Sequence, residues 1–334
     1  MGPFGARGRV TAISYHDTVN DLQDRAWSGK GPFTKAGWFA LLEQAGHRPM
    51  LAVAEDALGA VCLLLEHGDK GLQSLTNWYA FSWPVLTFGE PDRARLLSAL
   101  ARDLAGQARR VALAKLHTAD ADLLVEAFRA AGWRVEAEAV DTNHHVLVPP
   151  AETGAFAAYL AARPGRLRTT LKRKAKKVEV ALATRFCADD WSDYEAIYAE
   201  SWKPAEGDPA LLRRFAEAES AAGHYRFALA RHDGRAVAAQ FWSVEDGTAY
   251  IHKLAHRPDA DHLSPGTTLT AALMEHVIDV DRVGEVDFGT GDDAYKRDWM
   301  DAARPLHSLI ALRPADPRNW AALGKAAIRD LVRR

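Results

Sequence analysis

Apolar and polar positions along the chain divide it into two halves that run through one order of elements. Period-two runs predict a first strand at 9–15, helices follow near 17–28 and 35–45, and Trp38, Leu41 and Leu42 share one face of the second. An apolar strand to about Ala54, a turn at Glu55 to Leu58 and a strand from Ala60 to Leu65 then read as a hairpin. A turn at Gly68 to Gly71 leads into a third strand, Leu72 to Tyr79, which runs into the cluster Trp78, Tyr79, Phe81 and Trp83. A helix at 91–106, a strand at 110–115, a helix at 120–131 and strands near 133–138 and 144–148 complete the half. After two linking helices the order returns: three strands in YRFALARHDGRAVAAQFWSVEDGTAYIHKLAH, a helix from Ser264, and strands at 285–288 and 306–313. FALARHDGRAVAAQFW lies over LAVAEDALGAVCLLLE in pattern, not in residue identity. The prediction is an α/β (α+β) chain of two tandem modules, 1–150 and 151–315, each a mixed, mostly antiparallel sheet flanked by helices, with an amphipathic helix at 316–334.

The densest polar junctions fall in residues 250–299. Alternation places Tyr250, His252, Leu254 and His256 on one strand face and Ile251, Lys253 and Ala255 on the other. Ser264 suits an N-cap, Pro265 the first helical position, and Gly266 a close approach to backbone. Leu269, Ala272, Leu273, His276, Val277 and Val280 then recur at helical spacing. The first turn leaves the amides of Gly266, Thr267 and Thr268 open at the positive end of the helix dipole, which suits a phosphate; an ordinary capped helix reads equally well. The strand Glu285 to Phe288 and the turn Gly289 to Asp293 then deliver Tyr295, Lys296 and Trp299 at helical spacing.

This arrangement resembles the GNAT superfamily of acyl-CoA N-acyltransferases. More narrowly, HKLAH, LSPGTTL, EVDFGTGDDAYK and the following tryptophan resemble the acetyltransferase domain of CelD-type proteins, relatives of the Fem peptidyltransferases and of bacterial ceramide synthases; the resemblance spans about 155–315. It implies that the strand before the main helix, with Leu254, meets a pantetheine arm, and that Ser264, Gly266, Thr267 and Thr268 take the phosphate of an acyl-CoA or acyl carrier protein donor. LSPGTT has less glycine and basic character than the usual pyrophosphate loop, which leaves CoA and carrier protein both open.

Amine attack on a thioester needs a neutral amine, and freeing an alkylamine of pKa ~10 at pH 7 costs about 4 kcal/mol. His252 is the expected base, on the strand that would flank the thioester, and His256, on the same face, is the second candidate for that role and an acceptor-binding residue. Tyr295 is the expected proton donor to the leaving thiolate, and Lys296 polarises the site or binds donor phosphate. Asp287 and Asp292 orient the amine or His252, or pair with Lys253, Lys296 and Arg297. Trp78, Tyr79 and Trp83 are candidates for an acceptor channel, with core packing the alternative.

Composition narrows the partners. At 334 residues with 48% hydrophobic residues the chain builds a substantial core, and no run approaches the ~18–20 apolar residues of a membrane span. The N-terminus lacks a secretory h-region, so a cytoplasmic location, peripheral to the inner membrane face, is expected. Cys62 and Cys187 read as two buried thiols; the pair His144–His145 has no nearby cysteine, and no metal is expected. No Walker loop, dinucleotide fingerprint or GxSxG elbow is present. Net charge is −2, yet Arg163, Arg166, Arg168, Lys172, Arg173, Lys174, Lys176 and Lys177 form an unbalanced basic helix with Leu167, Leu171, Ala175 and Val178 as an apolar stripe. With the tail 316–334, whose apolar side is Trp320, Leu323, Ala327, Ile328 and Leu331, it suggests an anionic membrane surface; an acidic carrier protein and CoA phosphates are further partners. Nucleic acid is not expected, since no second region is comparably basic.

The reading is an N-acyltransferase joining a long acyl chain to a sphingoid-type amine, as in ceramide synthesis. Its rivals are a CelD-type polysaccharide acetyltransferase, a Fem-like transferase using aminoacyl-tRNA, and a membrane-associated scaffold without turnover.

Overall fold

A computed structural model describes residues 11–27, 29–149 and 154–325. Two compact units emerge, one comprising residues 142–304 and the other the chain up to Asp141 together with that from Pro305. The expected boundaries at 150 and 315 move to these points, which fall inside strands: residues 142–147 belong to the second unit, and the end of the chain returns to the first.

In the first unit β1 (Ala12–His16), β2 (Pro49–Asp56), β3 (Gly59–Gly68) and β4 (Gly71–Ser74) run antiparallel in sequence, and β5 (Leu86–Gly89) pairs with the other end of β3. Strand β6 (Arg110–His117) joins β4 in parallel, and β13 (Ala302–Leu312) closes on β6 antiparallel. Helices α1 (Ala36–Gln44), α2 (Arg93–Gln107) and α3 (Thr118–Ala130) flank this sheet. Helix α2 shows why the pattern works: Asp92 caps Arg95 N–H, and Leu96, Leu97, Leu100 and Leu104 sink one stripe into the core.

The expected third strand, Leu72 to Tyr79, stops at Ser74. Lys115, at a positive φ of 60, explains this, because its ammonium takes the carbonyls of Asn77 (2.8 Å) and Ala80 and gathers the segment into a loop. Within it Trp83 is core, donating its indole N–H to Leu64 O at 3.0 Å, and Tyr79 is buried; Trp78 stands 61% exposed. The expected channel of three aromatic residues is therefore split between core and solvent.

Strand β7 (Arg134–Leu147) is continuous where sequence suggested two, since its exposed middle hides the apolar period without breaking the backbone. In the second unit β7 pairs antiparallel with β12 (Glu285–Thr290), β12 runs parallel to β11 (Thr248–His256), and β10 (Arg235–Glu245), β9 (Tyr225–His232) and β8 (Glu179–Ala183) continue antiparallel. Both units thus repeat an antiparallel meander ending in a parallel pair, as the sequence pattern predicts. Helices α4 (Ala155–Ala161), α5 (Gly165–Lys174) and α8 (Pro265–Glu275) take one side of this sheet, with Leu269, Leu273 and Met274 of α8 buried in its core. The α8 axis continues as a π-turn at His276–Val280. Helices α6 (Ala188–Glu200) and α7 (Pro209–Ala221) bring Trp191, Tyr194 and Phe215 to the strands from the other side, and α9 (Lys296–Trp299) follows β12.

Cys62 is buried as expected, but Cys187, preceding α6, is exposed. No helix among the described residues is long and apolar enough to cross a membrane. Trp320 is exposed and bonds Pro314 O, while Ala327, Ile328 and Leu331 of the expected tail helix lie outside the described residues.

Candidate active site

Strands β11 and β12 pair only from Thr248 opposite Glu285 to Tyr250 opposite Asp287, although both run further. The reason lies in β11, where Trp242 faces Ile251 and Phe241 faces Lys253, leaving His252 as an extra residue. This bulge, a point of local bend and added twist, lies just beyond the last β11–β12 pair. Where a strand ladder ends, an extended, amide-bearing arm can continue it.

The bulge also corrects the face assignment. His252 and Lys253 turn to the α6–α7 side, and Leu254 and His256 turn to α8. His252 packs between Phe215 (5.0 Å) and Phe241 (4.9 Å), and its Nε2 lies 2.8 Å from Ser243 Oγ. Burial, with Lys253 alongside, pushes its pKa down to about 3. A base so weak is poorly matched to pH 7, contrary to the role expected for it. The folded pKa lies below the unfolded ~6.5, so His252 stabilises the fold fully above pH 6.5 and the contribution is lost as pH falls toward 3. Urea denaturation of wild type and His252→Gln should show the wild type losing stability more steeply between pH 7 and 4.

Leu254 and His256 meet the first turn of α8. A Cβ on Gly266 would sit 3.2 Å from Leu254 Cδ1 and 3.7 Å from His256 Nδ1, so glycine is what brings this turn against the strand. Gly266 O accepts from Gln240 Nε2 at 2.9 Å and Thr270 Oγ1 at 3.0 Å, and the same Gln240 accepts from Trp242 Nε1, a closed network that pins the turn to β10. Ser264 sits at the N-cap with φ 52, but its side chain makes no cap; instead Lys174 Nζ of α5 donates to Ser264 Oγ at 2.9 Å. Thr268 N–H is spent on Ser264 O at 3.3 Å, which leaves Gly266 and Thr267 as the open amides of the first turn. His256 offers Nε2 to Asp261 at 3.0 Å, while its buried Nδ1 has no partner. His256 Nδ1, two helix-terminal amides and the Lys174 ammonium thus gather around the Gly266 turn, an arrangement whose chemistry suits a phosphate.

Asp287 is a structural anchor, not a free carboxylate. It accepts from Asn143 Nδ2 (2.6 Å), Gly289 N (2.7 Å) and Arg304 Nη2 (2.7 Å) while 4% exposed. Asp292 is exposed and tied to His144 Nε2 at 2.9 Å and to Arg297, which hold its carboxyl below the usual range. Lys296 is buried with its ammonium on Thr290 O, away from any phosphate role. Tyr295, 39% exposed, meets Phe288 edge-on at 5.6 Å, and partial desolvation and Asp293 raise its pKa, so the hydroxyl keeps its proton at neutral pH.

On the α6–α7 side Lys253 meets residues that the sequence did not single out. Lys253 Nζ pairs with Glu206 Oε1 at 2.7 Å, and Tyr194 donates to Glu206 Oε2 at 3.0 Å. A pocket of ≈ 440 Å³ opens here, lined by Trp191, Tyr194, Glu195, Tyr198, Ala199, Glu206, Pro209 and Leu212. An aromatic wall with two carboxylates suits an amine carrying an apolar body. In the same α6–α7 loop Trp202 stacks on His256 at 4.3 Å, and Lys203 is pushed down to about 8 by burial and by Lys253 and Lys296. No motif in WKPAEGDP announces this; the loop gains chemistry only where it folds over β11.

Of the eight basic residues before β8, three are engaged. Arg163 bonds Asp301 and Trp299 O, Arg166 bonds Asp298, and Lys174 bonds Ser264, while Leu167 is buried. Arg168, Lys172, Arg173 and Lys176 face solvent.

Residues 165–297 match the model of the Acetyltransferase (GNAT) domain. Similar solved structures include the C-terminal domain of a putative lysylphosphatidylglycerol synthetase from Agrobacterium fabrum, at 14% identity and TM-score 0.57 over 93% of this chain and 95% of that one. FemX follows at 11% identity and TM-score 0.60, covering 89% and 96%. A tandem GNAT protein of the clavulanic acid biosynthesis pathway matches at 14% identity and TM-score 0.51, covering 91% and 100%. A sequence search of curated proteins gives no match.

Proposed function

We propose that this chain, whose residues 165–297 match the Acetyltransferase (GNAT) domain, moves an acyl group from a phosphopantetheine thioester to an amine held in the α6–α7 pocket. The observation that carries this reading is the bulge at His252, which ends the β11–β12 pairing beside the Gly266 turn. In the reaction the amine nitrogen attacks the thioester carbonyl carbon, the C–N bond forms and the C–S bond breaks. Tyr295 supplies a proton to the sulfur, and Lys203, its pKa pushed down to about 8, receives the proton of the amine through its neutral form. Gly266, Thr267, Lys174 and His256 hold the donor phosphate. The acyl-CoA and acyl carrier protein donors share that phosphate, and the exposed Arg168, Lys172, Arg173 and Lys176 offer a surface to the extra charge of either.

Lys174→Ala is expected to raise the CoA dissociation constant about 10-fold, as for one lost charge-assisted hydrogen bond. Calorimetry at two salt concentrations measures it, and an unchanged constant removes Lys174 from the donor site.

The pocket favours an amine with an apolar body, a class that includes the long-chain sphingoid-type base leading to a ceramide-like amide. Aminoacyl transfer is the second reading, favoured by the fold shared with FemX and with a putative lysylphosphatidylglycerol synthetase domain. A donor panel of acetyl-CoA, palmitoyl-CoA, acyl carrier protein and aminoacyl-tRNA, each with sphingosine and with short alkylamines, distinguishes them by product mass. Amide formed from a thioester supports the first reading; product only with aminoacyl-tRNA replaces it with the second, and no product with any donor leaves a scaffold. Association with anionic liposomes through the basic face of α5 is a separate proposal, checked by loss of sedimentation with vesicles as salt is raised.

A further inference from the structure

A cluster outside the acyl-transfer site carries its own chemistry. Glu219 in the last turn of α7, His224 in the turn before β9 and Glu245 at the end of β10 each offer one ligand atom, all within 4.8 Å of one another. Glu219 is only 8% exposed. Its Oε2 and His224 Nδ1 are both buried without a hydrogen-bond partner, and they lie 3.6 Å apart, beyond hydrogen-bond reach. Two orphaned polar atoms facing each other are costly unless something between them satisfies both. The backbone holds the arrangement: His224 N–H bonds Glu219 O at 2.8 Å and Val244 N–H bonds His224 O at 2.9 Å, which fixes α7, β9 and β10 at one point.

We propose that Glu219, His224 and Glu245 bind a divalent transition-metal ion, with Zn²⁺ the best match, which staples the end of α7 to the β9–β10 edge. Imidazole with carboxylates is a borderline set that suits Zn²⁺ better than Mg²⁺ or Ca²⁺, which prefer oxygen alone. Ligand bonds of ~2.0–2.2 Å place ligand atoms roughly 3–4 Å apart. The Glu219–His224 pair already meets that spacing, and the half-buried Glu245 closes the remainder. Three protein ligands leave a fourth position to water. The site touches the acceptor half indirectly, because Glu219 also hydrogen-bonds Ser243, whose Oγ meets His252 Nε2, and because α7 supplies Pro209 and Leu212 to the pocket.

The full chain, stripped with chelator and titrated with Zn²⁺, Mn²⁺ and Mg²⁺ by calorimetry and thermal denaturation, provides the test. The expected result is one Zn²⁺ per chain and a rise in Tm of ~5 °C or more, with a smaller response to Mn²⁺ and none to Mg²⁺. His224→Gln and Glu245→Gln should each weaken Zn²⁺ binding at least ~30-fold while the CoA-induced Tm shift persists, which shows that the variants fold. Zn²⁺ binding undiminished in both variants overturns the proposal, as does wild type that takes up no stoichiometric Zn²⁺. A metal-free Glu219→Gln variant as stable as zinc-loaded wild type also overturns it, since a proton would then be the cluster's occupant.

Discussion

Tyr295→Phe is expected to lower kcat ~100-fold or more while donor affinity stays within a few-fold. The ring lies on Phe288 at 5.6 Å, a contact phenylalanine preserves, so the substitution removes the hydroxyl and little else. Partial desolvation and Asp293 hold that hydroxyl protonated, and a thiolate leaving group needs a proton at the moment the C–S bond breaks. An interaction made in the transition state and absent in the ground state appears in kcat and not in binding. Single-turnover rates with acyl thioester, beside calorimetric donor affinity, give both numbers. A loss below ~10-fold would remove Tyr295 as proton donor, and a more reactive thiol ester with a better leaving group should narrow the gap between variant and wild type.

The second large effect is on stability. Lys253→Met is expected to cost ~3–5 kcal/mol in urea unfolding, because it strands Glu206 as a buried charge without its partner. The side chains are 7% and 10% exposed, the pair is 2.7 Å long, and Tyr198 covers the ammonium at 5.3 Å. Burial pulls the Lys253 pKa down and Glu206 pulls it back, so the ammonium depends on the carboxylate. The double variant Lys253→Met/Glu206→Gln should recover most of the loss, since neither buried charge then remains. A single variant within ~1 kcal/mol of wild type would show that water reaches the pair.

The surroundings of the residues singled out at 250–299 differ from the expected ones for two reasons. Period-two alternation cannot register an extra residue in a strand, and the bulge at His252 inverts every side chain beyond it. Hence the base expected at His252 lies among aromatic rings, and His256 faces the first turn of α8. Asp287 and Lys296 were singled out as polar residues at a strand end, but Arg304, Asn143 and the Thr290 carbonyl claim them, and these partners lie too far along the chain for spacing to reveal. Gln240 and Glu206 carried no motif at all; their importance arises from burial against Gly266 and Lys253.

Local rules were enough for the repeated element order, the mixed and mostly antiparallel sheets and the glycine-opened helix at Pro265, because hydrophobic period, proline and glycine act over a few residues. Only the tertiary structure decided where each unit ends, since residues 142–147 and the chain from Pro305 take their place by pairing with distant strands. It alone decided which titratable groups are held, buried or left open, because charge and desolvation depend on neighbours in space rather than in order.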